Sequence, residues 1–89
     1  MEKQNKDNIV SKFELTLLME QTRIPIITVY RNPADYPQKY VARVWDMNKP
    51  TRFVALANSL SEIRAAIPVG MTNMGRSKKD DSSIVEVWL

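Results

Sequence analysis

The stretch Ala55-Leu-Ala-Asn-Ser-Leu-Ser-Glu-Ile-Arg-Ala-Ala-Ile-Pro-Val-Gly70 decides the fold, because it contains the beginning, the buried side and the end of one helix. Ser59 and Glu62 have the spacing of a capping box, in which the serine hydroxyl accepts a hydrogen bond from a backbone N–H that the first turn leaves unpaired. Pro68 cannot continue a helix, since it has no backbone N–H. These signals predict a helix over residues 59–67.

The apolar side of this helix needs a sheet to pack against. Leu60, Ile63 and Ile67 recur at a spacing that places them on one side of the helix. Four flanking segments are rich in β-branched and aromatic residues, as strands are; they are residues 24–30, 39–46, 51–57 and 83–89. We therefore expect an α+β fold of order β-β-β-α-β, with a mainly antiparallel sheet and the helix on one face.

The beginning of the chain is ambiguous. Ile9, Phe13 and Leu17 fit a helical spacing, whereas the residues from Phe13 to Met19 also alternate as in a strand. Residues 8–22 can therefore be helix or strand, and we favour an extra N-terminal helix.

The boundaries of the domain follow from polarity. Residues 1–7 are polar and are predicted to be disordered, which leaves residues 8–89 as a single small domain. Residues 70–83 contain two glycines and a run of charges, and they are predicted to form a mobile loop.

The composition argues against most catalytic chemistry. None of the 89 residues is cysteine or histidine, so the commonest nucleophile–base pairs, metal ligands and disulfides are excluded. No glycine-rich phosphate-binding motif is present. We expect no catalytic residues, no cofactor and no metal site.

Hydropathy gives no sign of a membrane protein. No apolar run approaches the roughly 18–20 residues that a membrane-spanning helix needs, and the polar first residues lack the apolar core of a signal peptide. We expect a cytoplasmic protein without membrane contact.

The net charge of +3 is concentrated in the middle of the chain. Residues 26–57 hold the whole excess, with Arg31, Lys39, Arg43, Lys49 and Arg52 against Asp35 and Asp46. Such a surface favours an anionic partner, although a solvated sheet face gives the same pattern.

Strand alternation predicts which residues share a sheet face. Arg43 and Trp45 lie on one side of their strand, and Glu86 and Trp88 lie on one side of theirs. We expect the helix to leave all four on an open face, with Arg52 beside them. Tryptophan next to arginine suits either stacking on nucleobases or anchoring a protein partner. Two other interpretations stay open: a homodimer interface, or tryptophans that cover the sheet while arginine and glutamate pair across strands.

Residues 31–40 are the second candidate region. Pro33 and Pro37 stiffen this segment, so that three tyrosine hydroxyls can be presented in a fixed arrangement: those of Tyr30, Tyr36 and Tyr40. A two-proline turn that connects two strands is the alternative interpretation.

Two resemblances to known proteins complement these patterns. The stretch Ile26-Ile-Thr-Val-Tyr-Arg-Asn-Pro-Ala-Asp-Tyr-Pro-Gln-Lys-Tyr-Val-Ala-Arg-Val-Trp-Asp46 resembles short uncharacterised proteins of Gram-positive bacteria and their mobile elements, which imply no particular function. The strand order and the sequence Asn58-Ser-Leu-Ser-Glu-Ile63 are similar to HicB-type antitoxin domains. That similarity implies a toxin-binding module, often dimeric and coupled to DNA control, although the helix of that family continues past the position of Pro68.

The sequence therefore predicts a non-enzymatic binding module. An unknown protein is the expected partner, and the expected binding residues are Arg43, Trp45, Arg52, Trp88 and Tyr36. The alternative is a nucleic-acid or nucleotide binder that uses the same basic and aromatic face.

Overall fold

The five strands of the protein form one sheet, seen in a computed structural model that describes residues 7–78 and 81–89. The elements are β1 (Asn8–Val10), α1 (Leu15–Gln21), β2 (Pro25–Arg31), β3 (Tyr40–Asp46), β4 (Lys49–Ala57), α2 (Leu60–Ala65) and β5 (Ile84–Trp88). The strands lie in the order β1-β4-β3-β2-β5. Among the described strands, β1 runs parallel to β4 and the other pairs are antiparallel, so the predicted α+β fold with a mainly antiparallel sheet is confirmed.

The beginning of the chain contains both a strand and a helix. Residues 8–10 pair with β4, with Val10 opposite Ala55 at the edge of the core. The expected N-terminal helix is present but begins only at Leu15 and ends at Gln21. A strand of three residues is too short for its alternation to be distinguished from a helical spacing, which explains why the pattern did not reveal it.

Helix α2 begins as the capping box predicts. The Ser59 hydroxyl accepts a hydrogen bond from the Glu62 N–H at 3.2 Å and donates one to the Glu62 carboxylate at 3.0 Å. The helix ends at Ala65, one turn before Pro68, and is therefore shorter than the predicted range. Ile63 is fully buried, so the apolar side of the helix faces the sheet as expected.

Both helices pack on the same face of the sheet. Leu18 of α1 and Ile63 of α2 belong to one buried cluster with Ile27 of β2, Val44 of β3 and Ala55 of β4. At roughly 25 cal/mol per Å² of apolar surface removed from water, this cluster supplies the main stabilisation of the fold. The opposite face has no helix of the described residues against it.

The segment after α2 covers one edge of the sheet. Thr72 and Leu89 exchange two backbone hydrogen bonds, of 2.8 and 3.0 Å, and the N–H of Met74 donates to the Val87 carbonyl at 2.7 Å. The outer edge of β5 is thus paired over these residues, which removes a ready template for aggregation. The sequence does not predict this pairing, because residues 70–78 have no strand-like alternation.

Parts of two expectations lie outside the described residues: the disorder of residues 1–6, and the mobility of the loop at residues 79–80. Asp7, in contrast, is hydrogen-bonded to Arg43, which differs from the disorder expected for that residue. Within residues 7–78 and 81–89, no helix has the length and apolar character needed to cross a membrane.

Candidate functional site on the open face

The candidate site lies on the sheet face opposite the two helices, which we call the open face. Arg43 and Trp45 of β3 point to this face, because Val44 between them lies in the core. Tyr30 of β2 lies directly across from Val41 of β3 on the same face. Val41 is nevertheless buried, so this face is partly covered by other parts of the chain.

One cover is the loop of residues 32–39 between β2 and β3. The Asn32 N–H donates to the Lys39 carbonyl at 2.8 Å, and the Gln38 N–H donates to the Asn32 side-chain oxygen at 2.6 Å. Asn32 and Gln38 both have positive φ, of 55° and 66°. The ends of the loop are therefore tied together, and the loop holds Pro33 and Tyr36 against the open face.

Asp7 also covers part of the open face, where it forms a bidentate ion pair with Arg43. The two guanidinium nitrogens donate to the two carboxylate oxygens at 2.9 and 2.8 Å, and the Tyr36 hydroxyl donates to the same carboxylate at 2.8 Å. Arg43 also donates to the Thr51 carbonyl at 2.8 Å. The side chains of Arg43 and Asp7 are only 16% and 12% exposed. This cluster fixes the Arg43 guanidinium in one orientation.

The ion pair changes the acidity of both partners. Hydrogen bonds from Arg43 lower the pKa of Asp7 below its usual value; burial opposes this effect, and Tyr36 and the charge of Arg52 reinforce it. The hydrogen bonds to Asp7 likewise raise the pKa of Arg43. Both groups are therefore charged at neutral pH.

A recess of about 180 Å³ opens beside Arg43. It is lined by Tyr30, Pro33, Asp35, Val41 and Arg43. Two of these residues are apolar, one is aromatic and two carry opposite charges. The Asp35 carboxylate is 50% exposed and reaches Arg43 at 3.4 Å, a long and weak ion pair.

Trp45 lies next to the recess and is half-buried. Its indole N–H donates to the Tyr30 hydroxyl at 3.3 Å, so the two aromatic side chains are linked. Burial above all raises the pKa of Tyr30, and its hydroxyl is therefore neutral at physiological pH. The prediction that Trp45 and Arg43 share the open face is confirmed.

Trp88 and Glu86 do not belong to the open face, and that expectation was wrong. They lie opposite Ile27 and Val29 of the core, on the helix-covered side. Glu86 is 2% exposed and accepts hydrogen bonds from Arg64 of α2, the shortest at 2.7 Å, and from the Trp88 indole N–H. Burial raises the pKa of Glu86, but the hydrogen bonds from Arg64 and Trp88 outweigh it, so the pKa lies below its usual value. The ion pair between Arg64 and Glu86 therefore connects α2 to the sheet.

The structure thus brings together only part of the predicted set. Arg43, Trp45 and Tyr36 lie on the open face, and exposed Arg52 of β4 acts on Asp7 through its charge. The proposed pairing of Arg43 with Glu86 across strands is replaced by two separate ion pairs, one on each face of the sheet.

Sequence reasoning also missed two residues of the site. Asp7 and Asp35 both pair with Arg43, and Asp35 also lines the recess. The signal for Asp35 was available, since this residue lies between the two prolines of the loop that borders the open face. No local pattern connects Asp7 with Arg43, which are 36 positions apart.

Neither a metal centre nor a known relative identifies the function. Within residues 7–78 and 81–89, no three His, Cys, Asp or Glu side chains are grouped so that they could hold a metal ion. Comparisons with protein-family models, curated proteins and solved structures give no match to this chain. What supports a function is therefore the geometry of the open face.

Proposed function

We propose that this chain is a small non-enzymatic binding module that recognises a protein partner through its open face. The observation that carries the proposal is the recess beside Arg43, which has an apolar base, an aromatic wall and a charged rim. Such recesses accept the anchoring side chains that dominate the energy of protein interfaces. The ion pair and the tied loop hold its walls in place before a partner binds, which lowers the entropy cost of association.

The size of the recess supports a single side chain as its occupant. Pockets for cofactors and drug-sized ligands measure roughly 300–1,000 Å³, which is larger than the 180 Å³ found here. A cavity of about 150 Å³ holds one benzene molecule. A nucleotide would therefore exceed the recess, whereas one side chain of a protein fits it.

The charges on the open face favour a protein over a nucleic acid. Nucleic-acid binding needs several cations that are available to phosphates. Arg43, the cation expected to supply such a contact, is already held by the Asp7 carboxylate. Arg52 remains exposed on β4 and is the main support for the nucleic-acid alternative.

Site-specific photo-crosslinking in an extract of the native host tests the proposal. A benzophenone amino acid replaces Ala34, an exposed residue of the loop that borders the recess, and in a control it replaces Thr16, an exposed residue of α1. We expect a defined protein adduct from position 34 that resists nuclease and is absent from position 16. The adduct should also disappear when the crosslinking chain carries Asp35→Lys.

Other outcomes assign a different function or surface. A nuclease-sensitive adduct from position 34 would favour the nucleic-acid alternative. An adduct of the chain with itself would favour the homodimer interface. Adducts from position 16 alone would place the interaction on the helical side and overturn the proposal.

A further inference from the structure

We infer that the recess takes a basic side chain, lysine or arginine, of the partner protein. This inference rests on the proposed function and names the chemistry of the occupant. It follows from three features of the recess: a half-exposed and weakly paired carboxylate at its mouth, an aromatic wall, and an apolar base.

The carboxylate at the mouth belongs to Asp35, which shares the Arg43 guanidinium with Asp7. Asp7 holds Arg43 through two hydrogen bonds of 2.8 and 2.9 Å, whereas Asp35 reaches it only at 3.4 Å. Asp35 is also half exposed at the mouth of the recess, so an incoming cation can reach it without first being buried. Asp7 and Arg52 both lie outside the lining, which carries one cation, Arg43, and one anion, Asp35. The preference for a cation therefore comes from the weak pairing and exposure of Asp35 and not from a net charge.

The walls suit the rest of a basic side chain. Val41 and Pro33 offer an apolar surface, along which the methylene groups of lysine or arginine can pack while the charged end reaches the rim. The ring of Tyr30 also lines the recess, and an aromatic face attracts a cation within about 6 Å.

The charges around Tyr30 are the Arg43 guanidinium and two carboxylates. Its pKa is raised first by burial, and the charges of Asp35 and Asp81 add to this effect, whereas Trp45 and Arg43 oppose it. Two carboxylates from different loops therefore act on the aromatic wall.

An acidic occupant is disfavoured because both terminal nitrogens of Arg43 already donate to other groups. One of its terminal nitrogens donates to Asp7 and to the Thr51 carbonyl, and the other donates to Asp7 and Asp35. A partner's carboxylate would have to displace Asp7, which is also bonded to Tyr36. It would then meet the negative charge of Asp35 at the mouth of the recess.

A titration followed by NMR tests the inference with small probes in place of the partner. The ¹⁵N-labelled chain is titrated at constant ionic strength with n-butylammonium, and separately with n-butanol and pentanoate as uncharged and anionic probes of similar length. The two indole N–H signals serve as reporters. The Trp45 signal senses the recess, because this N–H donates to Tyr30, whereas the Trp88 signal reports on the other face of the sheet.

We expect n-butylammonium to shift the Trp45 indole signal saturably and to leave the Trp88 signal in place. The Asp35→Asn variant should bind it about two- to fivefold more weakly, as expected for loss of a partly exposed ion pair. An unchanged Trp88 signal in that variant shows that the fold is intact. The inference is overturned if pentanoate or butanol binds as tightly as n-butylammonium, if n-butylammonium gives no saturable shift, or if Asp35→Asn has no effect.

Failure of this inference and failure of the proposed function give different results. If the recess rejects n-butylammonium but position 34 still crosslinks to a protein, the partner uses another kind of side chain. If n-butylammonium binds but position 34 yields no protein adduct, the recess is a cation site and the protein-binding proposal fails.

Discussion

Replacement of Asp7 by asparagine is the sharpest test of how the open face is held together. Asp7→Asn keeps the size of the side chain but removes the charge that pairs with Arg43. It weakens two hydrogen bonds of 2.8 and 2.9 Å and the bond from the Tyr36 hydroxyl. The variant therefore leaves the Arg43 charge largely buried, with Asp35 as its remaining carboxylate partner among the described residues.

The magnitude follows from the burial of this pair. Hydrogen bonds to charged groups contribute about 1.5–3 kcal/mol each when buried, whereas ion pairs at the surface contribute about 0–1 kcal/mol. Since the Asp7 and Arg43 side chains are 12% and 16% exposed, some solvent screening applies. We expect Asp7→Asn to lower the free energy of unfolding by about 1–3 kcal/mol at pH 7.

The effect depends on pH with a defined sign. The folded-state pKa of Asp7 is lowered below its unfolded value of 3.8, chiefly by its hydrogen bonds with Arg43. The stabilisation is therefore complete above that value and is lost as the pH falls through the folded-state pKa. The difference between wild type and Asp7→Asn should shrink in acid. The titration of Glu86 is common to both proteins and cancels from the difference.

Urea unfolding, followed by tryptophan fluorescence at pH 7 and at about pH 3, measures both effects. Glu20→Gln is the matched control, because it removes one negative charge from an exposed position on α1 and should change stability by less than about 0.5 kcal/mol. The role assigned to this ion pair would be refuted if Asp7→Asn lowers the free energy of unfolding no more than the control does. It would also be refuted if this decrease is as large in acid as at pH 7.

Three further substitutions test other parts of the molecule. Glu86→Gln should lower the free energy of unfolding by about 1–2 kcal/mol at neutral pH. Because the pKa of Glu86 lies below its usual 4.5, this loss of stability should diminish in acid. A loss that urea titrations show to be independent of pH would contradict the role of the Glu86 charge. Trp45→Ala should weaken partner binding at least tenfold in calorimetry with a modest cost in stability, since the side chain is half-buried; unfolding instead of lost binding would show that it belongs to the core. Met47→Gly should raise the free energy of unfolding by about 0.5–1 kcal/mol, because Met47 is exposed and has a φ of 56°; a lower melting temperature would argue against strain at this turn.

The fold was largely predictable because its signals are local. Ser59, Glu62 and Pro68 mark a helix within a few residues, and alternation within β3 correctly places Arg43 and Trp45 on one face. These patterns depend only on backbone geometry, which a short sequence determines.

The side of β5 that faces the core could not be predicted in the same way. Val85, Val87 and Leu89 look like the buried side of this strand, but Glu86 lies in the core. The side that a strand buries depends on its register with the neighbouring strand, and the register of β2 with β5 shifts between Val29 and Tyr30. A buried carboxylate also needs a partner, and Arg64 comes from a distant helix.

Only part of the site was predictable for a related reason. Arg43 and Tyr36 were identified from their residue types and positions. Asp7 was missed because ion pairs between distant segments leave no periodic trace in the sequence, and its neighbours are polar. The recess itself depends on the tertiary position of the loop of residues 32–39, which local turn signals do not determine.

Calorimetric titration of the purified crosslinked partner against a pair of matched charge reversals tests the central claim most directly. Asp35→Lys changes the mouth of the recess, and Glu20→Lys makes the same change of charge on α1. We expect Asp35→Lys to weaken binding at least tenfold and Glu20→Lys to leave it within twofold of wild type, as for an anchor at the centre of an interface. Equal affinities for Asp35→Lys and wild type, or a loss confined to Glu20→Lys, would contradict the claim that the open face binds a protein partner.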